Sequence, residues 1–176
     1  MPDLSHAMLR DAQGLGHEAR VHSDDHAALK LWLRLLSCTT QLEAEVRRRL
    51  RTRFGVSIAR FDYLAQLYRY GDGLKMRDLS RHLMVTGGNV TGLTDELVRE
   101  GLVVREACPN DKRSRIVRLT PRGREAFEAM AQAHEDWILE LFGNLTDKQM
   151  QQLYTQLGIL RVHLMHHDSS EEQHDP

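Results

Sequence analysis

Large apolar residues recur every three or four positions along most of this 176-residue chain, which is the spacing of amphipathic helices. The first periodic stretch is predicted to begin at a cap formed by Ser23 or Asp24 and to end at about Arg53. Its first half carries two apolar stripes, one of Leu29, Trp32 and Leu36 and the other of Leu31, Leu35, Cys38 and Leu42. A helix that is apolar on two sides needs two neighbours, so this pattern predicts contact with a partner chain.

Three shorter helices are predicted between residues 57 and 101. The first is capped by Ser57, ends at Gly71 and turns inward Ile58, Phe61, Leu64 and Leu67 or Tyr68. The second begins at about Met76 and is marked by Leu79 and Leu83. The third follows Thr86, ends at Gly101 and buries Val90, Leu93 and Leu97. The tight turn at residues 84–86 joins the last two in the layout of a helix-turn-helix.

Two short β-like runs, at residues 102–106 and 115–119, are predicted to be strands. The polar connection 107–114 contains Pro109 and Asn110, which are typical of a hairpin loop. A long helix then starts at Thr120-Pro121 and carries Phe127, Met130, His134, Trp137 and Leu141. Thr146 and Gln149 form a capping box for a last helix, which repeats Met150, Leu153, Leu157, Leu160 and Leu164.

Composition indicates a globular, helix-rich protein. The chain is 41% hydrophobic and 28% charged with few glycines and prolines, which excludes collagen-like, disulfide-scaffold and wholly disordered proteins. No apolar stretch approaches the about 20 residues of a membrane helix, and the N-terminus lacks the basic and apolar run of a signal peptide. Cys38 and Cys108 lie far apart and do not suggest a disulfide framework. We therefore expect a protein of a reducing cytoplasm.

The net charge of −1 conceals two basic regions. Residues 47–60 contain six arginines and no acid, and residues 105–124 contain seven lysines or arginines against two acids. The tail at 168–176 holds four acids and no lysine or arginine. Such clusters concern binding partners rather than the fold, although an arginine-rich helix is also often simply solvated.

The second helix of the helix-turn-helix has the chemistry of a DNA-reading element. Its first turn, Gly87-Gly88-Asn89, is small enough for backbone N–H groups to approach a phosphate. The face opposite the apolar positions is predicted to enter a major groove and carries Thr86, Asn89, Thr91 and Thr94. Lys112, Arg113 and Arg115 of the hairpin are predicted to reach the DNA backbone or a minor groove. The alternative is an ordinary solvated helix followed by a surface hairpin.

Together these elements predict a mainly α fold with a small β-hairpin wing, in which a winged helix-turn-helix lobe is flanked by N- and C-terminal dimerisation helices. The predicted boundaries are a flexible arm at 1–22, a helical dimerisation region at 23–56 and 121–167, a DNA-binding lobe at 57–120 and an acidic flexible tail at 168–176. Terminal helices from two copies are expected to form one bundle, giving a twofold homodimer.

Two segments resemble the MarR family of transcriptional regulators: LSRHLMVTGGNVTGLTDELVREGLV at 79–103 and NDKRSRIVRLTPRG at 110–123. The matching motif positions are Leu97, Arg99 and Gly101 in the helix, Asp111 and Arg113 in the wing, and Leu119-Thr120-Pro121 with Gly123 at the strand exit. The resemblance covers roughly residues 25–167. It implies a homodimer on a pseudo-palindromic DNA site.

The same resemblance implies roles for individual residues. Asn89 and Thr91 would be among the base readers, Arg113 would lie at the wing tip, and Asp111 would help to hold the shape of the wing. The chain departs from the family where larger residues are replaced by Gly87, Gly88 and Gly92. Fewer side chains then read bases directly, so DNA shape is expected to carry more of the specificity.

The family generally senses small molecules in a pocket between the dimer helices and the DNA-binding lobe. In this chain that pocket would draw on Trp32, Leu36, Phe61, Leu64, His134, Trp137 and Ile138, although apolar residues at this spacing are usually core. A rim of Arg47, Arg51, Arg53 and Arg60 would suit an aromatic group joined to a phosphate-bearing handle. The stretch MVTGGNVTGL also resembles regulators that answer aromatic acyl-CoA esters, so we expect release from DNA by an ester such as p-coumaroyl-CoA. The same arginines would alternatively contact DNA phosphates.

The sequence is also compatible with other classes of function. A MarR-type regulator would alternatively sense free phenolic acids, or oxidants through Cys38 and Cys108. A metal face at His163, His166 and His167 lacks a cysteine or carboxylate to complete a site, so no metal is expected. The chain has none of the motifs GxGxxG, P-loop, HExxH and GxSxG, so neither an enzyme nor a bound cofactor is expected.

Overall fold

The computed structural model describes residues 16–20, 26–83, 87–108 and 111–171. After a short 3-10 helix at Gly16–Arg20, the elements are α1 (Ala27–Phe54), α2 (Ile58–Arg69), β1 (Leu74–Lys75), α3 (Met76–His82), α4 (Gly87–Arg99), β2 (Val103–Cys108), β3 (Asp111–Leu119), α5 (Pro121–Phe142) and α6 (Asp147–Glu171). The chain divides into two compact units, with the boundary between Glu135 and Asp136. The predicted class, mainly helical with a small β wing, is confirmed.

Helix α1 is shorter at its start than the sequence predicts. It begins at Ala27, and its N-cap is His26, which makes no side-chain capping hydrogen bond. The prediction of a cap at Ser23 or Asp24 is therefore wrong. The backbone at His26 is extended, so the helix cannot begin before Ala27. The helix ends one residue past the predicted position, where Gly55 adopts a left-handed conformation and donates its N–H to the carbonyl of Arg51.

Part of the predicted flexible arm forms the 3-10 helix and packs on α1. The Glu18 carboxylate accepts a hydrogen bond from Arg34 Nε at 2.6 Å, and the His17 N–H donates to Ser37 Oγ at 3.2 Å. Both Glu18 and Ser37 are buried. The remainder of the arm lies outside the described residues.

Helix α2 buries most of the residues that its apolar spacing predicts, and it buries one further residue, Tyr63. Ser57 is the N-cap and accepts the N–H of Arg60 at 3.3 Å, as predicted. Phe61, Leu64 and Leu67 are buried, whereas Tyr68 is exposed. Tyr63 is completely buried as well, and its hydroxyl therefore needs a partner within the lobe.

The wing is a three-stranded antiparallel sheet in the order β1-β3-β2. Leu74 pairs with Val117, and Val103 pairs with Leu119. The prediction of an eight-residue loop at 107–114 is wrong, because β2 continues to Cys108 and β3 begins at Asp111. The sequence also missed β1, whose two residues are too short for a periodic signal.

Helices α5 and α6 both begin at the predicted caps. Thr120 Oγ1 accepts the N–H of Gly123 at 2.9 Å, and its hydroxyl donates to the carbonyl of Gly101 at 2.8 Å. Thr146 and Gln149 form the reciprocal capping box, with the Thr146 N–H donating to Gln149 Oε1 at 2.9 Å and the Gln149 N–H donating to Thr146 Oγ1 at 3.3 Å.

Helices α1 and α6 each present large apolar side chains to solvent in the single chain. On α1 these are Leu29, Leu31 and Trp32. On α6 they are Met150, Leu153, Tyr154, Leu157, Ile159, Val162, Leu164 and Met165. Within the described ranges, no helix is both long enough and apolar enough to cross a membrane.

Candidate nucleic-acid interface

Helices α3 and α4 form the helix-turn-helix, and α4 is packed on one side only. Val90, Thr94 and Leu97 are buried, because positions 90, 94 and 97 share one side of a helix. Thr91 and Asp95 are exposed on the other side. Thr86 and the side chain of Asn89 lie outside the described residues, so their predicted DNA contacts stay predictions.

The predicted place of Thr94 on the polar face is wrong. Its side chain is fully buried, and its hydroxyl oxygen lies 2.6 Å from both the Tyr63 hydroxyl and the Val90 carbonyl. A threonine is tolerated in this core because its single hydroxyl has partners there. Thr94 therefore has no surface with which to contact DNA in this structure.

Gly92 of α4 has open space beside it. A Cβ atom added there would meet no other atom within 4 Å, so packing within the lobe does not require a glycine at this position. Gly87 and Gly88 lie in the first helical turn, where backbone N–H groups have no partner within the helix. The positive end of a helix dipole favours an anionic group at such a position.

The hairpin lies beside α4 and is tied to it by an ion pair. Arg105 Nη2 of β2 lies 2.6 Å from Asp95 Oδ1 of α4. Arg115 is exposed on β3 opposite Ala107. The side chains of Asp111, Lys112 and Arg113 lie outside the described residues, so their roles in the wing stay predictions.

Two further exposed arginines lie on α3, the first helix of the helix-turn-helix, outside the residues that the sequence predicts to contact DNA. Arg77 and Arg81 of α3 are 72% and 79% exposed, and their distances to Asp78 Oδ1 are 3.4 and 3.8 Å. The first helix of a helix-turn-helix crosses the DNA backbone, where such side chains contact phosphates. Their sequence signal is two basic residues within one short predicted helix, outside the two arginine-rich and lysine-rich regions at 47–60 and 105–124.

The residues predicted to line an effector pocket are divided between the two compact units of the chain. Phe61 and Leu64 are buried in the first unit, where the Phe61 ring lies 4.9 Å from His134 and 5.5 Å from Phe127. Trp32 is 57% exposed on α1, and Leu36 is half-buried. In the second unit Trp137 is buried and Ile138 is half-buried. That all of them line one pocket stays a prediction.

The predicted arginine rim is smaller than the sequence indicated. Arg47 pairs with Glu43, and Arg60 pairs with Glu100. Arg48 and Arg49 share Glu45, and their hydrogen bonds lower the pKa of that carboxyl to about 2. Acids just before the arginine run, together with Glu100 just after α4, therefore neutralise most of it. Within the described part of the chain, Arg51 and Arg53 are exposed without an acidic partner, although the Arg53 guanidinium lies 5.4 Å from the Phe54 ring.

Cys38 and Cys108 are the two residues predicted as alternative oxidant sensors. Cys38 is a free, exposed thiol on α1, and its predicted contact with a partner chain stays a prediction. The side chain of Cys108 lies outside the described residues. Within the described residues, no cluster of three metal-ligating side chains occurs.

The charges of His134 and Asp62 influence each other, and the pKa values of the two groups are shifted in opposite directions. Burial lowers the pKa of His134, and the charge of Asp62 partly offsets this. Burial raises the pKa of Asp62, and the charge of His134 opposes that shift. The folded lobe therefore favours the neutral form of each group.

We expect His134→Gln to reduce the loss of stability on acidification. His134 has a lower pKa in the folded state than the 6.5 of a free side chain, so the unfolded chain binds more protons and the folded state loses stability as pH falls below about 6.5. Urea unfolding near pH 5.5 and pH 7.5 measures this difference, with exposed His26→Gln as the control. An unchanged pH difference in His134→Gln would contradict the assignment.

Known proteins resemble this arrangement. A sequence model of the MarR family matches residues 54–114, which span the helix-turn-helix and most of the hairpin. The transcriptional activatory protein BadR of Rhodopseudomonas palustris is 34% identical over 107 residues. The matched part is 60% of this chain and 61% of BadR, so the chain spans less than two thirds of that relative.

Two solved structures share the fold and are more than a quarter identical to this chain in sequence. The crystal structure of a MarR family transcriptional regulator from Silicibacter pomeroyi is 33% identical with a TM-score of 0.65, and the match covers 81% of this chain and 99% of the other. Sco3205, a MarR family transcriptional regulator from Streptomyces coelicolor in complex with DNA, is 26% identical with a TM-score of 0.67. That match covers 80% of this chain and 90% of Sco3205.

Proposed function

The chain belongs to the MarR family of transcriptional regulators, and on that premise we propose that it binds a pseudo-palindromic DNA operator as a homodimer. The observation that carries this proposal is the arrangement of α3, α4 and the β2–β3 hairpin, with one side of α4 packed and the other exposed. Winged helix-turn-helix proteins place such a helix in the major groove. The related structure of Sco3205 is a complex with DNA.

Separate groups of residues read bases and hold the backbone in this proposal. Asn89 and Thr91 read base edges, and the N–H groups of Gly87 and Gly88 approach a phosphate beside Thr86. Phosphates are held by Arg77, Arg81, Lys112, Arg113 and Arg115, with Asp111 shaping the wing. Thr94 has no part in base contact, because it is buried.

The homodimer is supported by the apolar side chains that α1 and α6 expose. An exposed apolar surface of this extent on two long helices is more than a monomer usually leaves in water. A twofold dimer covers the same patch on both copies and presents two α4 helices to half-sites roughly 34–36 Å apart. The operator is then a pseudo-palindrome, since its symmetry follows that of the protein.

The proposed effector is an aromatic acyl-CoA thioester such as p-coumaroyl-CoA, which releases a repressor from DNA. Phe61 and His134 supply a ring-lined region, and exposed Arg51 and Arg53 supply positive charge for the phosphates of the handle. Ligand binding would favour a dimer whose two α4 helices no longer match the half-sites. Activation is the alternative direction, because the relative BadR is named an activatory protein.

Fluorescence anisotropy tests the effector. The protein is bound to DNA from its own upstream region and titrated with p-coumaroyl-CoA, free p-coumarate or free CoA. Release by the thioester alone supports the proposal. Release by p-coumarate as well favours a sensor of phenolic acids. If none of the three releases DNA, the aromatic acyl-CoA proposal fails, and oxidation of Cys38 or Cys108 is the next candidate.

We expect Arg51→Ala to weaken the response to the thioester by roughly tenfold, because a charge-assisted contact to a phosphate is lost. Its affinity for DNA without the ester should stay unchanged. Arg122→Ala is the control, since Arg122 is an exposed arginine at the start of α5. A variant that binds DNA more weakly but responds normally to the ester would assign Arg51 to DNA instead.

A further inference from the structure

The hydroxyl of Thr94 lies where three helices meet. Its oxygen is 2.6 Å from the Tyr63 hydroxyl of α2 and 2.6 Å from the Val90 carbonyl within α4. Met76 Sδ, at the start of α3, lies 3.7 Å away. Both Tyr63 and Thr94 are completely buried, so water does not compete for these bonds.

The protons of this group can be placed in one direction. Burial raises the pKa of Tyr63 to about 12, so its hydroxyl stays protonated and available as a donor near neutral pH. A threonine hydroxyl has one proton, and the short distance to the Val90 carbonyl uses it. Tyr63 therefore donates to Thr94, which donates to Val90.

This chain of hydrogen bonds ends in a helix that is weak by composition. Glycine disfavours helix more than any other residue except proline, and the first six residues of α4 include Gly87, Gly88 and Gly92. Gly92 has open space around it, so no packing contact offsets that preference. The first half of α4 therefore depends on contacts with the rest of the lobe.

We infer that Tyr63 is a positioning residue for DNA recognition, acting through Thr94 on the first half of α4. This inference rests on the proposed function, because the helix being positioned is the one assigned to read DNA. Apolar contacts at Val90 and Leu97 tolerate small rotations of the helix, whereas a hydrogen bond is directional. Holding Thr94 inward fixes the rotation of α4 about its axis, and with it the direction in which the exposed Thr91 points.

The chain offers a matched pair of variants on one helix. Tyr63→Phe removes the hydroxyl that reaches α4, and Tyr68→Phe removes a hydroxyl whose partner is Glu128 of α5 at 3.0 Å. Thr94→Ser keeps the hydroxyl and should behave as the wild type, whereas Thr94→Val removes it at similar volume. Circular dichroism and thermal unfolding identify variants that fail to fold.

Two measurements on the whole 176-residue chain separate positioning from stability. Hydrogen exchange of the free protein should be about fivefold faster for α4 amides in Tyr63→Phe, with α5 amides unchanged. Affinity for a duplex from the protein's own upstream region should fall about fivefold, with affinity for a scrambled duplex unchanged. Thr94→Val should resemble Tyr63→Phe, and Tyr68→Phe should leave both readouts as in the wild type.

The outcomes separate this inference from the proposed function. If the wild type does not discriminate between the two duplexes, the proposed function fails and the role of Tyr63 falls with it. If the wild type discriminates and Tyr63→Phe keeps the same affinity ratio, only the positioning role is overturned. Faster exchange spread evenly over α2, α4 and α5 would also overturn it, because the hydroxyl would then act on stability alone.

Discussion

Gly123→Ala should destabilise the protein by at least about 3 kcal/mol, which is a large fraction of the free energy of unfolding of a typical domain. Gly123 is buried in the first turn of α5, and a Cβ atom built there would lie 1.9 Å from the carbonyl oxygen of Leu102 and 2.8 Å from its carbon. Both are backbone atoms, so rotation of a side chain cannot relieve the clash. The glycine of the strand-exit motif is thus explained by close approach of two backbones.

Leu102 cannot easily retreat, because its backbone is held on both sides. Its carbonyl accepts the N–H of Thr120 at 3.0 Å, and its own N–H donates to the carbonyl of Leu97 at 3.0 Å. Urea unfolding at fixed protein concentration measures the loss. Gly92→Ala is the control, since its added Cβ meets no atom within 4 Å and should stabilise the helix by up to about 1 kcal/mol. A Gly123→Ala variant within about 1 kcal/mol of the wild type would contradict this contact.

Aspartate at both Leu153 and Leu157 should convert the proposed dimer to a folded monomer and weaken operator binding by roughly a hundredfold or more. The two leucines are 42% and 39% exposed in the single chain, so charge there costs little unless a partner covers them. In a dimer the same charges would be buried without partners, which is strongly unfavourable. Each remaining monomer would contact one half-site only.

Light scattering after size exclusion gives the mass, and anisotropy gives the DNA affinity. Gln152→Asp with Gln156→Asp is the matched control, because it adds the same charges at the same spacing on exposed polar positions of α6. That control should stay dimeric and bind DNA normally. A Leu153→Asp, Leu157→Asp protein that remains a dimer would exclude this stripe from the interface.

Features set by neighbouring residues were predictable from the sequence. Ser57, Thr120 and the Thr146–Gln149 box cap their helices as expected, because a cap depends on residues within one turn. The helix-turn-helix and the hairpin also follow from local periodicity and turn residues. Strand β1 did not, since its two residues are ordered by pairing with β3 rather than by a pattern of their own.

Features set by distant residues were not predictable. Thr94 is polar and was placed on the outer face, but the buried hydroxyl of Tyr63, 31 residues away, gives it a partner inside. Arg60 was predicted to lie on the positively charged rim of an effector pocket, but Glu100, in the turn that follows α4, pairs with it across the fold. The arginine run at residues 47–60 contains no acid, but the carboxylates that pair with its first three arginines, Glu43 and Glu45, lie just before it on the same helix.

DNA discrimination by the 176-residue chain is the most direct test of the proposed regulator. Anisotropy at about 150 mM salt compares a duplex from the protein's own upstream region with a scrambled duplex of equal length and composition. We expect binding to the upstream duplex at least about a thousandfold tighter, and a smaller ratio for Asn89→Ala. Equal affinity for both duplexes in the wild type would contradict sequence-specific recognition by α4 and the wing.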